Sequence, residues 1–533
     1  MKLKFTVVLV SALLALSACA SISKERAENN KEKIVVQTST ETKETSGSTT
    51  NIETLTGNEF TIVAKEATHQ LNNEVSVEAW TFNGSVPGSQ IRVKQGEKIK
   101  ITLKNELPEP VSIHWHGIPV PNMMDGIPGV TQDAVQPGES FTYEFTATHS
   151  GTYMYHTHQE AVNQMDRGLY GSIIVEPKEI TYDRDYTLML DEWISNPLDA
   201  NSAMQNMGGM DHSNMDNMDH SNMSNMDHGA SSNSNDMHGS PTMLHDMSIY
   251  DIYTMNGKSG NSVEPLKVIE GETVRIRLAN VGYLSHNIHL HGHNFKVVAM
   301  DGQELNEPKE IQDQLISIAP GERYDIEFVA DNPGTWYIED HGDAKGTDGM
   351  RAMIQYEGVS QITDVSNSSE VLPVFSFADY GGTKNSNFTL DQKYDVEYTM
   401  NLNGNNMENV WTVNGKSFPN IDGLTVEEGD FVKVKLVNQS PAGNDHPMHL
   451  HGHFFQVLSK NGKPIEGSPI IKDTINVKPG EEYVVAFKTD NPGNWLFHCH
   501  DLHHATAGMV DLIKYNGFQS NYTPDPKANN KPE

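Results

Sequence analysis

Apolar and polar residues alternate in three long stretches of this chain: 91–105 (IRVKQGEKIKITLKN), 266–280 (LKVIEGETVRIRLAN) and 424–438 (LTVEEGDFVKVKLVN). A period of two on either side of a Gly-acid turn is the mark of a half-buried strand pair. Each stretch is followed by a Gln/Lys-Asp step and a Pro-Gly-Glu turn, in TQDAVQPGES, IQDQLISIAPGER and IKDTINVKPGEE. Each copy then closes on an aromatic strand ending in histidine: SGTYMYHTH, PGTWYIEDH and NPGNWLFHCH. Helical periodicity is absent. The repeats predict an all-β protein of three Greek-key β-sandwich domains in series, at 53–179, 180–365 and 366–517.

Three segments fall outside this pattern. Residues 20–52 are rich in Lys, Glu, Ser, Thr and Asn and read as a flexible tether, and 518–533 form a second polar stretch at the C-terminus. Inside the second copy, residues 204–247 hold ten methionines and five histidines, partly repeating every eight residues (MDHSNMDN, MDHSNMSN, MDHG). Such a segment has no means of forming a core, but its thioethers favour Cu(I) and its imidazoles accept either copper oxidation state.

Only two cysteines are present, Cys19 and Cys499. Residues 1–18 open with Lys2 and Lys4, continue through an apolar run from Phe5 to Leu16, and end in Leu16-Ser17-Ala18 before Cys19. That reads as a signal peptide with a lipoprotein-type cleavage box, the alternative being an uncleaved anchor, so Cys19 is expected to carry a lipid as the mature N-terminus. The protein is then exported and held at the outer face of the cytoplasmic membrane, with no cysteine pair left for a disulfide. A net charge of −33 excludes a nucleic-acid partner, which requires a basic face.

Cys499 lies in His498-Cys499-His500, with His504 and Met509 close behind. A thiolate, two imidazoles and a weak axial thioether form a blue-copper electron-transfer site. Three further histidine clusters stand at His114-Trp115-His116, His156-Thr157-His158 and His446-Pro447-Met448-His449-Leu450-His451. Residues two apart on a strand share a face, so each His-X-His pair can address one site. Two pairs lie in the first copy and two in the third, which implies a metal site shared between the terminal domains.

With these four motifs in place, the chain resembles the three-domain multicopper oxidases over roughly 55–517, and most closely their bacterial copper-resistance and laccase branch. The resemblance implies cupredoxin-like domains and four copper ions. It implies a type 1 copper on His446, Cys499, His504 and axial Met509, and a type 2 copper on His114 and His449. It implies a type 3 pair on His116, His156, His158, His451, His498 and His500. Donors would give up single electrons at the type 1 site, and O2 would take four at the cluster. Extra Cu(I) is expected on the Met/His-rich insert.

Aligning the copies predicts a reduced role for the middle one. His286, His289 and His291 repeat the spacing of His446, His449 and His451, but Glu339-Asp340-His341 replaces His498-Cys499-His500 and Lys345 replaces His504. The middle histidines are expected to be a packed remnant; the alternative is an auxiliary copper site completed by Glu339, Asp340 or His341. Among acids, the resemblance makes Asp473 a candidate for admitting electrons by touching a type 1 histidine, although Asp133 and Asp313 at the matching positions favour a shared structural role equally well. Asp125 is the candidate proton donor to reduced oxygen, its alternative being a turn residue before Gly126. His503 stands where many relatives have Glu, which places proton delivery from that side in question.

The expected function is oxidation of Cu(I) in copper tolerance. Oxidation of phenols, aminophenols or Fe(II) is the alternative within the same chemistry. A non-enzymatic copper-sequestering lipoprotein is a second class, disfavoured by the complete ligand set. A copper nitrite reductase is a third, disfavoured by the eight histidines beyond the type 1 set.

Overall fold

The computed structural model describes residues 52–195, 249–359, 371–405 and 409–532. The expected signal peptide and lipidated Cys19, the Met/His-rich insert 204–247 and the boundary expected near 365 lie outside the described residues.

Among the described residues, six sheets stack as three cupredoxin-like β-sandwiches. In the first, one sheet runs Thr54–Thr56, Gly88–Lys94, Tyr170–Glu176, Gly151–His156, and the other Ser76–Phe82, Glu59–Gln70, Lys98–Asn105, Ser140–Thr146. In the third, the sheet that carries the metal motifs runs Leu424–Val426, Val510–Tyr515, Asn494–Cys499, His446–Leu450, Thr474–Val477. The second repeats that order with Leu266–Val268, Arg351–Tyr356, Thr335–Asp340, His286–Leu290 and Ile316–Ile318.

One expectation is corrected. The alternating stretches are pairs of strands, but the two members never pair with each other. Gly88–Lys94 and Lys98–Asn105 lie in opposite sheets, as do Leu266–Val268 and Thr273–Asn280, and Leu424–Val426 and Phe431–Asn438. At each turn a glycine with φ near +90° (Gly96, Gly271, Gly429) carries the chain around the edge of the sandwich. Alternation reports which face of a strand is buried, not which sheet it joins.

The sandwiches bury Val, Ile, Leu and aromatic residues between their sheets, with a separate core for the first and a continuous one for the second and third. A further cluster unites all three: Met154 and Val162, Trp193 and Tyr283, and Leu496 and Leu502 pack together. Two short helices, Ala161–Asp166 and Leu502–Thr506, meet there, each following a histidine motif. The first and third domains are thereby clamped with their motifs face to face.

The C-terminal stretch, read as a polar tail, is anchored to the first domain by hydrogen bonds. Asn530 Oδ1 accepts from the Ala134 amide (2.8 Å), Gln159 Nε2 donates to the Asn529 carbonyl (2.8 Å), and the Tyr522 hydroxyl donates to Asp133 (2.6 Å). Polar composition hides such docking because it rests on side-chain amides rather than on a core. No helix among the described residues is long and apolar enough to cross a membrane.

Candidate metal centre

The third domain builds a mononuclear site from two adjacent strands and one helix. His446–Leu450 and Asn494–Cys499 pair antiparallel with Met448 opposite Cys499. Asp501 then caps Leu502–Thr506 by accepting from the His503 amide (3.1 Å), and this turn returns His504 to the cysteine. Cys499 Sγ lies 3.7 Å from His446 Nδ1 and 3.6 Å from His504 Nδ1, and the two nitrogens are 3.2 Å apart. Two nitrogens bound tetrahedrally at about 2.0–2.1 Å from one ion stand roughly 3.3 Å apart. Outer partners hold this orientation: the Ser440 hydroxyl meets His446 Nε2 at 2.8 Å, and Asp501 Oδ2 lies 3.4 Å from His504 Nε2. Trp411 packs on the His504 ring at 3.6 Å between centroids. Burial brings the His446 pKa down to about 4, leaving the neutral ring that a metal requires. Met509 is fully buried in the same core, and its carbonyl accepts from the Cys499 amide (3.0 Å).

Cys499 has His498 and His500 as its chain neighbours, and both enter a second, larger cluster. The first domain supplies His114, His116, His156 and His158; the third supplies His449, His451, His498 and His500; all eight are buried. His116 stacks on His449 at 3.8 Å and His114 on His451 at 4.0 Å, while His451 Nε2 and His498 Nε2 face each other at 2.9 Å. His158, His451 and His498 converge tightly enough to share one ion, and His114 does so with His449 and His451. His116, His156 and His500 form another group of rings, with centroids 4.7 to 5.7 Å apart.

The rings are turned so that one nitrogen is held outside and the other points in. His156 Nδ1 meets the Thr157 carbonyl (2.8 Å), His498 Nδ1 the Cys499 carbonyl (3.0 Å), and His114 Nδ1 the Asp125 carbonyl (2.9 Å). Among the inward nitrogens, His114 Nε2, His116 Nδ1, His156 Nε2 and His449 Nε2 are buried with no hydrogen-bond partner. Burial, reinforced by the neighbouring rings, holds His116, His156, His158, His451 and His500 well below the usual histidine pKa. Neutral, unsatisfied imidazoles in a closed space would be costly on their own, and they fit a cluster of copper ions.

Two acids line the cluster in different ways. Asp125 is buried with Oδ2 2.9 Å from His451 Nδ1 and Oδ1 3.3 Å from His114 Nδ1, so it joins histidines of two domains. Asn at this position would fill the same space but could not deliver a proton as a carboxylic acid does. Asp125→Asn is expected to keep the blue colour of the cysteine site and slow oxygen reduction about 10²-fold or more. Stopped-flow reoxidation of the reduced protein checks this, and an unchanged rate removes Asp125 from the reaction.

Asp473 reaches His116 Nε2 and His449 Nδ1, both at 3.4 Å, rather than His446, so the expected contact with a type 1 histidine is corrected. The reason is register: His446 pairs with Val477 and His449 with Thr474, which sets Asp473 at the cluster end of the strand. Burial opposes ionisation of Asp473, but the Arg323 guanidinium, bidentate on it, holds the carboxyl well below its ordinary pKa. The shared structural role is corrected too. Asp133 binds the C-terminal stretch, while Asp313 is 57% exposed.

Arg323 was not apparent as a site residue. It belongs to the second domain, where PGER departs from PGES and PGEE of the other copies; that arginine was the available signal. The same turn brings Gly321 (φ +82°) so close that a Cβ would stand 2.8 Å from the His500 ring, and a Cβ on Gly117 (φ +83°) would strike Arg323 at 2.3 Å. The second domain thus forms part of the cluster's wall. His503 packs edge-on against Tyr283 of that domain, with its Nδ1 3.3 Å from Asp501.

In the second domain the place of the cysteine site is filled by an ion pair. Asp340 stands opposite Ile288 as Cys499 stands opposite Met448. His286 lies between Asp340 (Nδ1–Oδ2 2.9 Å) and Glu192 (Nε2–Oε1 3.0 Å). Burial lowers its pKa, but the two carboxylates outweigh this and raise it to about 10. A pKa raised in the folded state stabilises fully below the unfolded value near 6.5 and is lost as pH rises through about 10. The stability advantage of wild type over His286→Gln is therefore expected to shrink between pH 7 and 10 in denaturant titrations; a constant difference refutes the charged pair. His289 and His291 take no part in this pair. Burial and the neighbouring rings bring His289 down to about 3, so it is neutral.

A family model described as multicopper oxidase matches residues 63–180, and a second of that description matches 213–357 and 391–515. The multicopper oxidase MmcO of Mycobacterium tuberculosis is 29% identical, over 82% of this chain and 83% of that one. Copper resistance protein A of Escherichia coli is 26% identical, over 82% and 89%. The crystal structure of a multicopper oxidase from Pseudomonas thermotolerans shares the fold with a TM-score of 0.62 and 24% identity, over 87% of this chain and all of that one.

Proposed function

The chain belongs to the multicopper oxidase family, and we propose that it oxidises Cu(I) as an exported, Cys19-lipidated enzyme of copper tolerance. His446, Cys499, His504 and Met509 hold a type 1 copper, and His114 and His449 a type 2 copper. His116, His156 and His500 hold one type 3 ion; His158, His451 and His498 hold the other. Copper so bound would accept single electrons at the cysteine site and pass four to O2, giving water, at the histidine cluster.

The observation that carries this reading is the position of Cys499, with Sγ in the mononuclear site and both chain neighbours in the cluster. His498-Cys499-His500 is therefore a continuous covalent path between the two, running through one peptide unit on either side of the cysteine. The protein's own groups do the rest: burial keeps the rings neutral, the outer hydrogen bonds fix their aim, and Asp125 stands where a proton is needed.

Cu(I) as donor is supported by a pocket of about 310 Å³ beside His504. Asp445 and Asp501 line it together with Asn444, Ser285 and Pro447. Two carboxylates at the point where electrons enter suit a small cation better than an apolar ring. The Met/His-rich segment 204–247 supplies soft ligands to gather Cu(I).

Oxygen uptake by the copper-loaded protein, with Cu(I) or a phenol as donor and with or without residues 204–247, tests the reading. Fast Cu(I)-driven uptake that falls on deletion is expected. Phenol turnover that dominates, and rises on deletion, would make the protein a laccase with a shielded type 1 site.

A further inference from the structure

The second domain retains a group of metal-binding side chains that the oxidase reaction does not use. Its strands His286–Leu290 and Thr335–Asp340 pair in the register of the third domain: His289 faces Glu339 as His449 faces His498. His289, His291, Glu339 and His341 therefore occupy the positions that His449, His451, His498 and His500 hold in the cluster. In the third domain those four donors are one half of the cluster, and the first domain completes it. In the second they stand together as a set of three nitrogens and one oxygen, enough for a single ion.

Their atoms already converge. His291 Nε2 lies 2.9 Å from Glu339 Oε1 and 3.2 Å from His341 Nε2, and Glu339 Oε1 lies 3.9 Å from His341 Nε2. The ligand nitrogens of His289, His291 and His341 are all within 4.8 Å of one another. His289 is 4% exposed, and neither ring nitrogen has a hydrogen-bond partner. A buried imidazole left unsatisfied beside two others points to an absent partner that all three share. Asp313, on the exposed rim, brings a carboxylate oxygen to 3.7 Å from His289 Nε2. The side chains of His341 and Glu339 are 24% and 16% exposed, so an ion can reach the group from solvent.

We propose that His289, His291, His341 and Glu339 form a separate, exchangeable site for one borderline divalent cation, Cu2+ or Zn2+. Three imidazoles and one carboxylate suit either ion, and the affinity order of first-row metals favours Cu2+ where both are present. The site has no thiolate, because Asp340 replaces the cysteine and is engaged by His286. It is therefore colourless with Zn2+ and lacks the blue band with Cu2+.

Zn2+ and Cu2+ titrations of the full chain, loaded with copper and then stripped of exchangeable metal by a chelator, followed by calorimetry, test the proposal against the His289→Ala/His341→Ala double variant and Glu339→Gln. The double variant is expected to take up one equivalent fewer of each ion while keeping the blue band of the cysteine site. Glu339→Gln, which conserves shape at a partly exposed position, is expected to weaken that equivalent about tenfold or more. Other ligands, including those of the Met/His segment, contribute equally to all three proteins and cancel. Uptake that is the same in wild type and both variants overturns the proposal. So does a zinc-soaked crystal with no anomalous peak bonded to His289, His291 and His341. The differences between wild type and variants, and the anomalous peak, report on this site alone, so they stand whatever donor the oxidase uses.

Discussion

Cys499→Ser is expected to abolish oxygen uptake with every donor, remove the blue colour and lower the copper content by one ion per chain. Serine is close to cysteine in size, and the site is fully buried, so the fold has little reason to change. The chemistry changes entirely. A hydroxyl is a hard, neutral ligand where copper requires a soft thiolate, and the remaining pair, His446 and His504, lacks the third strong donor. Because the path to the cluster runs through this residue's own backbone, no alternative route of similar length joins the two sites. The eight histidines of the cluster are untouched and should still take up copper. Copper analysis, visible absorption and an oxygen electrode check the result together. In cells, a strain holding the intact variant should lose copper tolerance; retained tolerance would favour sequestration over catalysis.

Asp473→Ala is expected to destabilise the metal-free protein by about 3–5 kcal/mol, the usual cost of stripping one partner from a buried ion pair. Asp473, Arg323, Asp301 and Lys472 are all fully buried. Arg323 donates to Asp473 (Nη1–Oδ1 2.7 Å), and Lys472 lies 3.1 Å from Asp301 and 3.2 Å from Glu322. Removing the carboxylate leaves a fully buried guanidinium without its bidentate partner, while Asp301, 3.6 Å from it, is already shared with Lys472. Arg323→Met combined with Asp473→Leu should recover much of the loss, because it removes both charges and keeps apolar volume. Denaturant midpoints of the wild type, the single variant and the double variant decide the matter. A single variant within about 1 kcal/mol of wild type would show that the network has little influence on stability.

The chemistry of the copper motifs was legible because it is local. A strand points every second residue to one face, so His-X-His and His-Cys-His declare shared sites from spacing alone. The period-two stretches declared an all-β chain in the same way, and Cys499 was the one cysteine standing among histidines. What spacing does not carry is the meeting of residues far apart. Arg323 reaches Asp473 across 150 positions, and Asp125 reaches His451 across 326. Both contacts depend on how whole sandwiches dock. The assignment of Asp473 to a type 1 histidine failed for this reason: its neighbours are set by strand register and by a turn of another domain. The paired strands that separate into opposite sheets, and the C-terminal stretch that binds the first domain, follow the same rule. The grouping of histidines and cysteine into clusters was written in the sequence because side-chain chemistry and strand period are properties of neighbours. The second domain's share in the cluster wall, and the convergence of its own spare ligands, were decided by the tertiary structure, since only packing brings distant charges and rings within bonding distance.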